Sequence, residues 1–429
     1  MILELKVKNF LSFKGEVAFS FEATRDKSFE DYQVVEAAPN ARILRLAIVY
    51  GANASGKSNL LNAFDFLRNF WFGVPEDKDE PTGVVPFLLD KETPQETSVF
   101  SLTFYTKGVK YLYSLVLDKK NVASEKLLVY PGTQPALIFD RKLNGDVSAI
   151  TFNAKKVRIS QPAKDEITVK CLPNMSLFAA YSRVNVAVPE VDKAIQWMKS
   201  QYALPSIGPN TRLVDFAEEM MAKNESIKKD ILTFLNKADY NITGIHTEKI
   251  EENVPDDMLS ALLSGATGLP NGERERLKKE RTIRLTRTTL EHKIVGKSGD
   301  SEFYAMGKGL QSAGTMRTLG LASAIRETVA NNAFLAIDEI ESSLHPKLVE
   351  LIIEDFLKQK GQSQLLLTTH YDGLLDKDDL LRKDSIWFTD KKENGATELY
   401  SLADFKGLNR IASLQKAYQY GKFGAIPNI

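Results

Sequence analysis

From Ile2 to Phe21 apolar and polar residues alternate, with a turn near Lys14-Gly15. That period of two predicts half-buried strands. A polar stretch runs to about Arg42. The apolar run Leu44 to Tyr50 then predicts a short buried strand. A glycine-rich loop follows, and beyond it Leu60, Leu61, Phe64, Leu67 and Phe70 fall on one face of a helix. Residues Trp71 to Thr97 hold several prolines and glycines and predict a loop region. Val99 to Phe104 and Val109 to Leu117 predict strands, and Leu137 to Phe139 and Ala149 to Phe152 extend the same sheet. From about Val191 the pattern turns helical, with Trp197, Val214, Phe216, Met220, Ile231 and Phe234 set among charged residues. The segment Glu251 to Lys279 is polar, contains Gly265, Gly268, Pro270 and Gly272, and is expected to be a mobile insertion. Alternation resumes near Ile283 and Leu285. After Ser301 come a glycine-containing loop, a helix, an apolar strand, a second helix and a second apolar strand. That order predicts an α/β fold with a parallel sheet. The expected division is an N-terminal lobe over 1–190, a mostly helical insertion over 191–290 and a C-terminal lobe over 291–429.

Composition narrows the class without naming it. Of 429 residues 43% are hydrophobic and 26% charged, an ordinary globular balance. The 56 basic residues equal the 56 acidic ones, so no net field draws in nucleic acid. Arg274, Arg276, Lys278, Lys279, Arg281, Arg284 and Arg287 form a basic run, but Glu273, Glu275 and Glu280 interrupt it, which favours a solvated face. One cysteine, Cys171, excludes a disulfide framework and a multi-thiolate metal site. The four histidines, His246, His292, His345 and His370, are too dispersed for a metal cluster. No stretch approaches the roughly 20 apolar residues of a membrane span, and the start lacks a leader's apolar core. The expected location is the cytoplasm.

The glycine loop Gly51-Ala52-Asn53-Ala54-Ser55-Gly56-Lys57-Ser58 fits G-x-x-x-x-G-K-[ST] between a buried strand and an amphipathic helix. Gly51 and Gly56 let the backbone turn its amides toward phosphate oxygens, and the helix N-terminus adds its positive end. Lys57 is placed for the β- and γ-phosphates of ATP and Ser58 for Mg2+. Asn53, Ser55 and Asn59 count with them as nucleotide-binding positions. A second motif, Ala333 to Glu339, is an apolar strand ending in two carboxylates. At such an end Asp338 is expected to hold Mg2+ beside the Lys57 loop, and Glu339 to polarise the attacking water.

Two further motifs set the subclass. Gly309 to Thr315 contains Ser312-Ala313-Gly314 just before a helix from about Met316 to Thr328. It resembles the signature motif of ABC-type ATPases, in which a hydroxyl and a close backbone at a helix N-terminus grip the γ-phosphate held by the other protomer. Gln364 to His370 is an apolar strand ending in Thr368, Thr369 and His370, and it resembles the switch histidine of the same ATPases. Between them, Ile340 to Pro346 occupies the place of the loop that bridges protomers. Its Leu344-His345-Pro346, following Glu339, looks like the stand-alone AAA-family ATPases with an ABC-like head, the RecF-like and OLD-like group, rather than a transporter. Asn9-Phe10-Leu11-Ser12-Phe13 and Gly421 to Pro427 resemble that group's terminal segments; Pro86-Phe87 and Glu125-Lys126-Leu127 match weaker landmarks. No glutamine after the first lobe matches the family's Q-loop.

The resemblance implies an ABC-type head with a mixed sheet, closing as a homodimer or higher even-numbered oligomer around ATP and Mg2+. Ser312 and Gly314 would bind nucleotide, while Lys57, Glu339 and His370 act in hydrolysis. It further implies a sensor ATPase of an antiphage, abortive-infection module that governs a separately encoded nuclease-like effector. The alternative is a DNA-repair ATPase of the RecF or SMC kind, which calls for a long coiled coil or a basic track.

Overall fold

A computed structural model of the chain describes residues 1–202, 204–238, 241–263 and 271–427. Gly265, Gly268 and Pro270 of the expected insertion lie outside the described residues, as do the side chains of Arg274, Arg276 and Arg284. Two compact units result. Met1–Asn210 with Glu327–Ile429 form the first, and Thr211–Arg326 the second. The boundary falls after 190 because the helix Pro189–Gln201 packs on the first unit, where Trp197 stacks on Phe104 at 3.8 Å between centroids.

The first unit has two large sheets around one helix, and a two-stranded hairpin, Val34–Ala38 with Ala41–Leu44, beside them. Five strands run in the order Phe334–Ile337, Gln364–Thr368, Leu46–Tyr50, Ile386–Lys391, Thr397–Ser401. The first four are parallel and the last pairs antiparallel. All residues of the strands at 46–50, 334–337 and 364–368 are buried. A parallel sheet covered on both faces needs such continuous apolar runs, and this is why they stand out in the sequence. The second sheet has seven antiparallel strands, in which Ile2–Lys8 pairs with both Val17–Ser20 and Ser98–Thr106. From there the strands to Phe152 follow as a meander.

The helix Lys57–Phe72 bridges the sheets. Phe64 meets Phe334 of the parallel sheet at 5.0 Å and Phe19 of the antiparallel one at 6.1 Å. Trp71 stacks on Phe178 at 4.2 Å and meets Tyr113 edge-on at 4.7 Å. Such aromatic pairs add about 1 kcal/mol each beyond area burial. The strand below the phosphate loop and the helix above it are therefore both fixed by the main core.

In the second unit two helices, Val214–Lys223 and Glu225–Lys237, meet a three-stranded antiparallel sheet, Ile242–Asn253, Thr282–Val295 and Ser301–Gly307. Ala217, Met221, Ile231, Leu235, Ile245, Leu290 and Leu319 form their core. Asn224 caps the second helix by accepting from the amides of Ser226 and Ile227 at 3.0 and 3.3 Å. The long strand Ile242–Asn253 is a departure from the helical reading of this stretch. Half of its residues are exposed and only Ile242 and Ile245 are buried, so it carries no alternating apolar signal. Among the described residues no helix is long and apolar enough to cross a membrane.

Candidate functional site

The glycine loop leaves the C-terminal end of Leu46–Tyr50 and enters the helix at Lys57. Gly56 sits at φ 107°, a region that L side chains rarely adopt, and a Cβ there would strike Thr397 and Ser12. A Cβ at Gly51 would come within 2.5 Å of Ser55 Oγ and of the Thr389 carbonyl. The loop is thus held closely by the strands beside it. Ser55 Oγ and Thr389 Oγ1 share a hydrogen bond of 2.6 Å. Thr397 Oγ1 lies 2.7 Å from both the Ser55 carbonyl and Ser12 Oγ, and Asn59 Nδ2 donates to Ser12 Oγ at 2.7 Å.

Lys57 is only 5% exposed. Its ammonium donates to the carbonyls of Gly51 and Ala52 at 2.9 and 3.2 Å and lies 3.1 Å from His370 Nε2. Desolvation lowers the Lys57 pKa against the opposing pull of Asp338, Glu339 and Glu341. The His370 pKa is pushed below 6.5 by desolvation and then by the Lys57 charge. A neutral imidazole accepting from Lys57 fits both shifts.

Ser58 Oγ donates to Asp338 Oδ2 at 2.6 Å, and Thr368 Oγ1 donates to the other carboxylate oxygen. The Glu339 amide donates to Thr368 Oγ1 at 2.8 Å, and Glu339 has φ 47°, uncommon outside glycine. That turn brings Glu339 to the wall of the cleft that Asn53 to Asn59 and His370 also line. The strands at 46–50, 334–337 and 364–368 therefore deliver Lys57, Ser58, Glu339 and His370 to one cleft of about 530 Å³, and Asp338 joins them through its hydrogen bond from Ser58. The hydroxyl and carboxylate of Ser58 and Asp338 are hard oxygen donors. They suit Mg2+, which takes few protein ligands and retains water and phosphate oxygens. Among the described residues no group of three or more His, Cys, Asp or Glu stands ready to hold a metal by itself.

Ser312 and Gly314 belong to the second unit. Ser312 accepts from the Thr315 amide at 3.0 Å and so caps the helix Ala313–Ala330.

Several contributors escape sequence reasoning. Glu341 accepts from the His370 amide at 2.6 Å and from Thr369 Oγ1 at 2.7 Å, which clamps the histidine loop. Tyr371 Oη donates to Glu350 at 2.8 Å and ties the same loop to the helix Pro346–Lys358. Thr389 and Thr397 lie more than 300 residues from the loop they support, and nothing local marks them.

Residues 46–154 and 256–376, together more than half the chain, match the family model described as "AAA domain, putative AbiEii toxin, Type IV TA system". Those segments contain the glycine loop, Ser312, Asp338, Glu339 and His370. The chain belongs to this AAA-domain family. No curated protein matches the sequence. Solved structures to which this AAA-domain chain is similar are SMC heads at 14% identity. The SMC head domain from Thermotoga maritima gives a TM-score of 0.41, covering 93% of this chain and 98% of that one. An SMC head bound to the C-winged helix domain of ScpA gives 0.42, covering 97% and 99%. A head with an extended coiled coil, bound to the C-terminal domain of ScpA and derived from Pyrococcus furiosus, gives 0.33, covering 98% of each.

Proposed function

We propose that this AAA-domain protein is an ABC-type ATPase whose two heads close around ATP. The observation that carries the reading is the convergence of Lys57, the Ser58–Asp338 pair, Glu339 and His370 on one cleft. A phosphate oxygen entering the loop competes with the three acceptors that Lys57 now serves, so Lys57 turns from its own carbonyls to the γ-phosphate. Ser58 and Asp338 would hold Mg2+, which when bound neutralises phosphate charge. Glu339 takes a proton from the attacking water, and neutral His370, once Lys57 has turned away, donates its ring N–H to a γ-phosphate oxygen. Positioning and fixed charge supply the catalysis, with no covalent intermediate. Ser312 and Gly314 of a second copy would complete the site, and hydrolysis would reopen the interface.

The biological reading is a sensor ATPase of a cytoplasmic antiphage, abortive-infection module that holds or releases a separately encoded nuclease-like effector. The toxin–antitoxin wording of the family description supports this class over DNA repair. So does the charge pattern of the basic run. Lys278 pairs with Glu275, Arg281 with Asp256, and Arg287 with Glu248 and Glu252, so these cations are offset by carboxylates. The test is steady-state ATP hydrolysis. Lys57→Ala should lower turnover by about 10²–10³-fold, the cost of losing one charge-stabilising donor. Glu339→Gln should lower it by about 10²–10⁴-fold, the range for a general base. Unchanged turnover in either variant removes that residue from the mechanism.

A further inference from the structure

Leu88 and Leu89 are 57% and 67% exposed, yet their loop is not slack. The buried Asn9 side chain accepts from the Phe87 amide at 3.0 Å and donates to the carbonyls of Thr93 and Glu96 at 2.8 and 3.2 Å. Leu11 donates its amide to the Val85 carbonyl at 2.8 Å, and Thr93 Oγ1 donates to the Phe87 carbonyl at 2.9 Å. Just beyond, Asp90 pairs with Lys14 at 2.6 Å and accepts from the amides of Glu92 and Thr93. The segment Val85–Leu89 is therefore fastened at both ends, and its apolar crest is held in place. Val85, Leu88 and Leu89 line the same cleft as the glycine loop. Leu89 also covers the turn at Gly395, where a Cβ would come within 2.5 Å of Leu89 Cδ1. The lining of the cleft thus combines two chemically distinct sets of groups, the glycine loop with Lys57 and the aliphatic side chains of Val85, Leu88 and Leu89, with Lys391 also on its wall.

We propose that the Val85–Leu89 loop is the platform for the base of the nucleotide, with Leu88 and Leu89 packing against its flat apolar face. This rests on the ATPase reading above. A base removed from water by two leucines gains affinity by area, and a pre-held platform loses little entropy in binding it. The leucines read surface rather than hydrogen-bonding edges, so purines should outbind pyrimidines. Exposed apolar pairs also serve protein contacts. The nucleotide is favoured because the leucines share a cleft with an anion-binding loop, and its volume lies within the range of small-ligand sites.

The experiment compares equilibrium binding of ATP and of inorganic tripolyphosphate, each with Mg2+, to the full chain and to Leu88→Ser/Leu89→Ser. The expected result is that the native chain prefers ATP, and that the double variant loses about tenfold in ATP affinity, as burial of one or two apolar faces implies. Tripolyphosphate binding should stay unchanged, which also shows that the variant is folded. Equal binding of the two ligands by the native chain overturns the platform, as does a variant that binds ATP normally. A variant that binds ATP normally but no longer self-associates assigns the leucines to a protein contact instead. If the native chain binds neither ligand, the ATPase reading itself fails, a result distinct from the others.

Discussion

Around Lys57 and His370 two basic groups sit 3.1 Å apart. Desolvation and the Lys57 charge hold His370 below 6.5, so folding favours the neutral imidazole. The sign follows directly. A histidine whose folded pKa is depressed contributes stability that is complete above its ordinary value and is lost as pH falls through the folded one. Turnover should behave likewise, level from about pH 8 to about 6.5 and falling below, as protonated His370 places a second positive charge beside Lys57. His370→Gln should lower turnover and abolish that acidic inflection; a pH–rate profile of both proteins checks it. At this scale the sequence shows much. The spacing of Gly51, Gly56, Lys57 and Ser58 is dictated by the geometry of phosphate binding, so it is visible in eight residues. Asp338, Glu339 and His370 are visible because each follows an apolar strand. Ser12, Thr389 and Thr397 are not. Their service to the loop arises only when segments up to 385 residues apart meet.

The elements that carry these residues differ in how they are held. The parallel strands and the helix Lys57–Phe72 stand on apolar and aromatic packing. The antiparallel sheet adds a buried ion pair. Arg141 and Glu125 meet at 3.0 Å with both side chains fully buried. Arg141 also donates to the carbonyls of Leu172 and Met175, and Glu125 accepts from Tyr113 and from the Leu177 amide at 3.0 and 2.8 Å. The pair thereby pins the segment before the helix Leu177–Tyr181 to the sheet. Desolvation raises the Glu125 pKa even with Arg141 present. Arg141→Met should therefore cost about 3–5 kcal/mol by leaving the carboxylate uncompensated. The loss should be greater at about pH 8 than at about pH 5, because a buried carboxyl with a raised pKa is penalised as pH rises through it. Glu125→Gln in the same chain should recover part of the loss, since it removes the orphaned charge. Urea denaturation followed by tryptophan fluorescence measures all three. The Glu125-Lys126-Leu127 run was legible as a family landmark, but not the buried pairing, since its partner's burial is decided by the fold. The hairpin Val34–Ala38 with Ala41–Leu44 carries no alternating apolar signal, because polar Glu36 and Arg42 face each other across it.

For the whole molecule, zero formal charge leaves association to local contacts rather than to a long-range field. Under the proposed mechanism each head contributes half of two sites, so ATP is a ligand of the closed pair and stabilises it by mass action. Blocking hydrolysis should then accumulate that pair. Glu339→Gln keeps Lys57, Ser58 and Asp338, so it should bind ATP and Mg2+ and shift from its nucleotide-free mass to twice that value in light scattering. Removing Mg2+ with a chelator should reverse the shift. Ser312→Arg placed in the same chain separates two explanations of that shift. Ser312 caps the helix Ala313–Ala330, and losing the cap costs only about 1 kcal/mol, so the head should stay folded. If Ser312 grips the nucleotide of the other copy, the double variant should bind ATP as a single chain and fail to pair. Pairing that survives Ser312→Arg would mean that the heads meet through another surface and that each holds a complete site of its own.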